Sequence, residues 1–132
     1  MKVIIPMAGL GQRFVNKGYK NPKPFIWVDD NCIINKVVNM FDKNDELIFI
    51  CNERHLKETD MHDRLNKIHK NSHVVSVPEH NRGPVFTVLP YLDMIDDDEP
   101  VIICYCDNPY LWDYEKFKKW AKTTKTDGCV LT

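Results

Sequence analysis

Lys2-Val3-Ile4-Ile5-Pro6-Met7 runs directly into Ala8-Gly9-Leu10-Gly11-Gln12-Arg13-Phe14, and Asn21-Pro22-Lys23-Pro24-Phe25 follows a short gap later. The first stretch is an apolar run of strand length. The second is a glycine loop with a fixed cation beside it. A buried strand that empties into such a loop gathers backbone N–H groups at one spot, the arrangement that holds a polyphosphate. Lys23, held between two prolines, is placed to reach the same phosphates.

Outward from this segment, apolar runs alternate with helix-period stretches. Strands are predicted at Lys2–Met7, Glu46–Cys51, His73–Val77 and Pro100–Tyr105, with a stub at Gly128–Leu131. Helices are predicted at Cys32–Phe41, Glu53–Lys70, Pro84–Ile95 and Tyr114–Thr123, with Asn52 and Asp113 as N-caps. Strict alternation implies right-handed crossovers and a doubly wound, mostly parallel α/β sheet. Ligands of such sheets bind beyond the carboxyl ends of the strands. The glycine loop and Cys106-Asp107-Asn108, after the fourth strand, both fall on that edge.

The 132 residues form one domain, 1–132, able to hide ~70% of its unfolded surface. A formal charge of −1 gives no reason to expect nucleic acid or an acidic membrane as partner. No apolar run is long enough to span a bilayer, and no signal segment opens the chain. The five cysteines are odd in number, scattered and without a Cys-x-x-Cys pair, which fits a reducing, cytoplasmic setting. Cys104 and Cys106 share a strand face and read as small apolar residues rather than metal ligands. Asp96-Asp97-Asp98-Glu99 reads as a solvated connection. His55, His62 and His69 recur every seven residues, about 10 Å apart along a helix, too far for one metal. The chain stops inside an apolar run, which suggests a fragment or a shortened form of something larger.

Gly9 and Gly11 alone are a weak fingerprint. Phe14 replaces the third glycine of a dinucleotide site, and no Gly-Lys-Ser/Thr follows as in a P-loop. Taken together, Pro6–Phe14 and Asn21–Phe25 resemble the signature of the nucleoside-triphosphate transferases, meaning the sugar-phosphate nucleotidyltransferases and their phosphocholine-type relatives. Glu79-His80-Asn81-Arg82-Gly83-Pro84-Val85 resembles the family's second nucleotide loop, Cys106-Asp107 its metal-binding aspartate, and Trp112–Phe117 a helix start of one bacterial branch. The resemblance covers nearly all of this chain but only the N-terminal half of a typical member. It implies a C-terminally truncated, Rossmann-like nucleotidyltransferase fold.

The implied reaction is attack by a phosphate monoester on the α-phosphorus of a nucleoside triphosphate, with release of pyrophosphate. It would serve the synthesis of an activated sugar or phospho-alcohol for surface polysaccharide. By resemblance, Arg13 grips the β- and γ-phosphates and Lys23 the α-phosphate and the incoming phosphate. Ala8, Gly9, Gly11, Glu79 and Gly83 contact the nucleotide, with CTP or UTP favoured, and Asp107 holds Mg²⁺. Plainer roles stand beside these: turn-flanking surface cations for Arg13 and Lys23, a helix opener for Gly83, a solvated acid for Glu79, a turn former for Asp107. Trp112 reads as packing.

Three positions depart from the family pattern. Gln12 stands where many members carry a small hydroxyl residue. Pro84 removes an N–H donor from the second loop. The second metal-sharing aspartate and the acceptor pocket belong to the absent half. A non-catalytic nucleotide- or partner-binding module is therefore the main alternative, and an unfinished sheet is compatible with a homo-oligomer. A glycosyltransferase would want a second acid in Asp107-Asn108-Pro109.

Overall fold

The computed structural model describes residues 1–96 and 98–131; Asp97, within the acidic run, lies outside them. In chain order the elements are β1 (Lys2–Met7), α1 (Gln12–Val15), β2 (Trp27–Val28), β3 (Asn31–Cys32), α2 (Ile33–Val38), β4 (Glu46–Asn52), α3 (Glu53–Glu58), α4 (Met61–Ile68), β5 (Ser72–Val77), α5 (Pro84–Val88), β6 (Val101–Ile103) and α6 (Tyr114–Thr123). The main sheet has the order β5-β4-β1-β6 and every pairing in it is parallel.

β1 is buried along its whole length, as a strand covered on both faces must be. Its side chains partition by the two-residue period. Val3, Ile5 and Met7 join Leu47, Phe49, Cys51, Met61, Leu65 and Tyr114 on one face. Ile4 and Ala8 join Ile48, Ile50, Val77 and Val88 on the other. Both faces are thus covered, and the sheet is doubly wound. Each fully buried aliphatic side chain contributes about 1.5–3 kcal/mol.

The chain winds from β1 out to β4 and β5, then returns to the far side of β1 as β6. The direction of winding reverses between β1 and β6. In open parallel sheets the ligand crevice lies at that point.

Several predicted elements are corrected. The helix expected over Glu53–Lys70 breaks at Thr59, whose hydroxyl donates to the His55 carbonyl at 2.6 Å and accepts from Met61 N–H at 3.2 Å. The three histidines therefore form no continuous stripe. His69 lies past the end of α4, buried, with Nε2 2.8 Å from the Asp45 carbonyl oxygen. The helix expected over Pro84–Ile95 is α-helical only to Val88 and continues as a 3₁₀ turn, because Pro90 has no N–H. The stub Gly128–Leu131 forms no strand: no neighbouring strand supplies its ladder, and Val130 is exposed. The β2–β3 hairpin was not anticipated; its turn places Asp29 at φ 57°.

Asn52 and Asp113 do cap their helices, through Arg54 N–H at 2.8 Å and Lys116 N–H at 2.9 Å. Trp112 packs on Phe41, Tyr114 and Phe117. Burial pushes the thiols of Cys51 and Cys106 up to about 12 and that of Cys104 to about 11, in keeping with apolar roles. Among the described residues no helix is long and apolar enough to cross a membrane.

Burial first, and the Arg54 charge second, hold the His55 imidazole below its ordinary value. Its Nδ1 is buried without a hydrogen-bond partner among the described residues. The unfolded chain then binds this proton more readily than the folded one. Stability is retained above the unfolded value of about 6.5 and is lost as pH falls through it. His55→Leu is expected to flatten the drop in melting temperature between about pH 7.5 and about pH 5.5. Melts showing the wild-type slope would refute this.

Candidate nucleotide site

The glycine loop leaves β1 at Ala8, which is itself buried. Asn52, at the end of the adjacent β4 and fully buried, donates from Nδ2 to the Ala8 carbonyl at 3.1 Å while capping α3 with its Oδ1. One amide side chain thus joins the ends of two strands. Sequence reasoning found the cap and missed the clamp, because only the strand pairing brings residue 52 beside residue 8.

Gly9 is exposed, and nothing lies within 4 Å of where its Cβ would be. Gly11 has φ 62°, and a Cβ there would lie 3.5 Å from Cβ of Lys23. The left-handed conformation favours glycine, and the Lys23 side chain packs at van der Waals distance beside it. Gly11 opens α1 by accepting from the N–H groups of Phe14 and Val15. Gln12 bonds to Asn16 across α1 at 2.8 Å.

Lys23 heads a 3₁₀ turn over Lys23–Phe25. Proline on either side restricts its backbone, and Phe25, 1% exposed, anchors the turn in the core. The ammonium lies 5.6 Å from the centroid of Phe14 and forms an ion pair with Asp107. Asp107 follows β6, just after Cys106, whose side chain packs on the core. The pair joins the two sides of the winding reversal, and both side chains remain about a third exposed, at 32%.

From Met1 to Val28 the chain carries no acidic residue, while Arg13, Lys17, Lys20 and Lys23 fall between positions 12 and 24. Arg13 is exposed on α1, and no acidic side chain among the described residues pairs with it. The structure therefore brings Gly11, Lys23 and Asp107 together and leaves Arg13 exposed on the adjoining α1.

On the other flank, Glu79 follows β5 and pairs with Arg54 of α3 at 3.4 Å. Gly83 is the N-cap of α5, with φ 88°, ψ 177° and no atom within 4 Å of a Cβ position. The helix it opens packs against β1, with Val88 and Ala8 in one core cluster. No direct contact joins Glu79 or Gly83 to the Lys23–Asp107 pair among the described residues. Nor does any group of three or more ligating side chains converge as a ready-made metal centre.

Solved structures share this fold. A nucleoside-diphosphate-sugar pyrophosphorylase from Vibrio cholerae RC9 matches at TM-score 0.67 and 20% identity, over 88% of this chain and 52% of its own. A UDP-glucose pyrophosphorylase from Acinetobacter baumannii matches at TM-score 0.63 and 19% identity, over 92% and 53%. A UTP-bound structure from the same organism matches at 0.60 and 17%, over 92% and 53%. This chain spans about half the length of each. No family model and no curated protein matches it. The fold is that of the nucleotide-sugar pyrophosphorylases.

The ion pair generates a test of the site's electrostatics. Asp107 pairs with Lys23, so Asp107→Asn is expected to tighten metal-free nucleoside triphosphate binding about fivefold, on the scale of one exposed ion pair. Calorimetric titration measures it. Unchanged or weaker binding would show that Lys23 does not face the anion.

Proposed function

We propose that this chain is the nucleotide-binding part of a cytoplasmic nucleotidyltransferase that transfers a nucleoside monophosphate from its triphosphate to a phosphorylated sugar or alcohol. The product would be an activated precursor for surface polysaccharide. The observation that carries the reading is the convergence of Gly11, Lys23 and Asp107 at the winding reversal of a doubly wound sheet. The shared fold supports it, since one matched structure holds UTP. The five cysteines, all free, suit the cytoplasm.

Arg13 suits the β- and γ-phosphates, because its planar fork bonds two oxygens at once and stabilises the leaving pyrophosphate. Lys23 sits where negative charge accumulates as donor and acceptor phosphates meet. Its proline-bounded turn holds the ammonium in place beforehand, so little reorganisation is needed. Open space beside Gly9 and Gly83 admits base or ribose to the backbone. Glu79, held by Arg54, suits a hydrogen-bond donor of the base.

Asp107 offers one hard oxygen donor on the ligand edge, which fits Mg²⁺ when substrate phosphates complete its shell. Bound there, the ion would neutralise charge on the phosphates. A lone carboxylate also favours a second reading, a module that binds nucleotide or a partner chain without turnover.

Thermal melts with CTP, UTP, GTP, ATP and dTTP, each with and without Mg²⁺, separate the two. A specific triphosphate at ~100 times its Kd is expected to add about 2.7 kcal/mol of stability, with a pyrimidine nucleotide standing out. Lys23→Ala should abolish that gain while leaving the fold intact by circular dichroism. A cooperative melt that no nucleotide shifts would overturn the nucleotide reading and leave the partner-binding one.

A further inference from the structure

His80 lies in the connection between β5 and α5, with both ring nitrogens engaged. The backbone N–H of Arg82 donates to Nδ1 at 3.2 Å, and Nε2 lies 3.2 Å from Oγ1 of Thr87. Thr87, 3% exposed, donates its hydroxyl proton to the Gly83 carbonyl at 3.4 Å. Counting donors and acceptors leaves one arrangement. A backbone N–H only donates, so Nδ1 carries no proton; a carbonyl only accepts, so the Thr87 proton is directed to Gly83. In this arrangement the ring proton sits on Nε2 and is donated to Thr87.

The resulting relay runs from Arg82 N–H through His80 and Thr87 to Gly83 C=O. It closes the loop around the glycine whose φ of 88° opens α5. The neighbours of His80 are tied down as well: Glu79 to Arg54, and the Arg82 guanidinium 3.6 Å over the Phe86 ring. We propose that His80 is a positioning residue: through Thr87 it holds the Gly83 loop in its ligand-ready shape and so sets nucleotide affinity without touching the nucleotide. This rests on the nucleotide reading of Gly83 given above. The relay joins the loop to Thr87 on α5, and α5 itself is held by Val88 in the core. Its removal should therefore cost affinity rather than global stability.

Calorimetric titration with Mg²⁺-CTP and Mg²⁺-UTP tests this on the wild-type chain, His80→Phe, Thr87→Val, the double variant and Thr87→Ser. Thermal melts and ¹H–¹⁵N spectra of the histidine ring accompany the titrations. Each single loss is expected to weaken binding about tenfold, the double no more than either single, and Thr87→Ser to bind like wild type. Melting temperatures should stay close to wild type, and the spectrum should show the Nε2–H tautomer. Wild-type affinity in the single variants, multiplicative losses in the double, or an Nδ1–H tautomer would overturn the proposal. If the wild-type chain binds neither nucleotide, the nucleotide reading falls and this inference with it. Wild-type binding with indifferent variants removes only the inference.

Discussion

The pairing of β1 on both of its edges is the constraint on which the rest of this structure depends. β1 lies between β4 and β6, in register over Lys2–Met7 on one side and Lys2–Ile4 on the other. Its side chains feed two separate core clusters, one on each face of the sheet. A strand so enclosed has one exit for its chain and no freedom of register, since a one-residue slip would exchange its two faces. The loop that leaves it at Ala8 therefore starts from a fixed point. The lysine at its far end is held just as firmly by Phe25.

Charge explains why the far side of that exit matters. The N-terminal loop is wholly basic, and the nearest counter-charge to Lys23 comes from Asp107, 84 positions away in sequence. Two opposite charges kept about a third exposed at a sheet edge stabilise the fold little. On the reading proposed above, they are a cation for phosphate and an anion for metal, each occupied by the other. Neutral groups contribute as well. Asn52 bonds to Ala8 and Thr87 to both His80 and Gly83, so hydrogen bonds add to the burial of Phe25 and the Arg54–Glu79 pair in fixing these loops.

β6 is the outer strand of the sheet on this side, and Ile103 on it is 62% exposed. This chain spans about half the length of the solved structures that share its fold. The candidate site draws on the ends of four strands, with Ala8 after β1, Asn52 closing β4, Glu79 after β5 and Asp107 after β6.

Much of this was legible in the residues. β1 was assigned at its true bounds because a run buried on both faces is continuously apolar. Asn52 and Asp113 announced their helices because capping is local chemistry. Gly11 and Lys23 could be singled out because glycine and proline punctuate the backbone wherever they occur. What the linear pattern missed has one cause, which is that it depended on partners distant in sequence or on competing side-chain bonds. Thr59 broke a helix whose periodicity ran through it. Gly128–Leu131 had the composition of a strand without a neighbour to pair with. Asn52 reaching Ala8, Lys23 meeting Asp107 and Arg54 holding Glu79 all required the sheet order. The sequence by itself determined the alternation of elements, the glycine loop and the cations it carries, because those follow from local backbone and side-chain chemistry. Only the tertiary structure decided which strand ends meet and which charges face one another, because parallel pairing between distant segments is set by burial of the whole sheet.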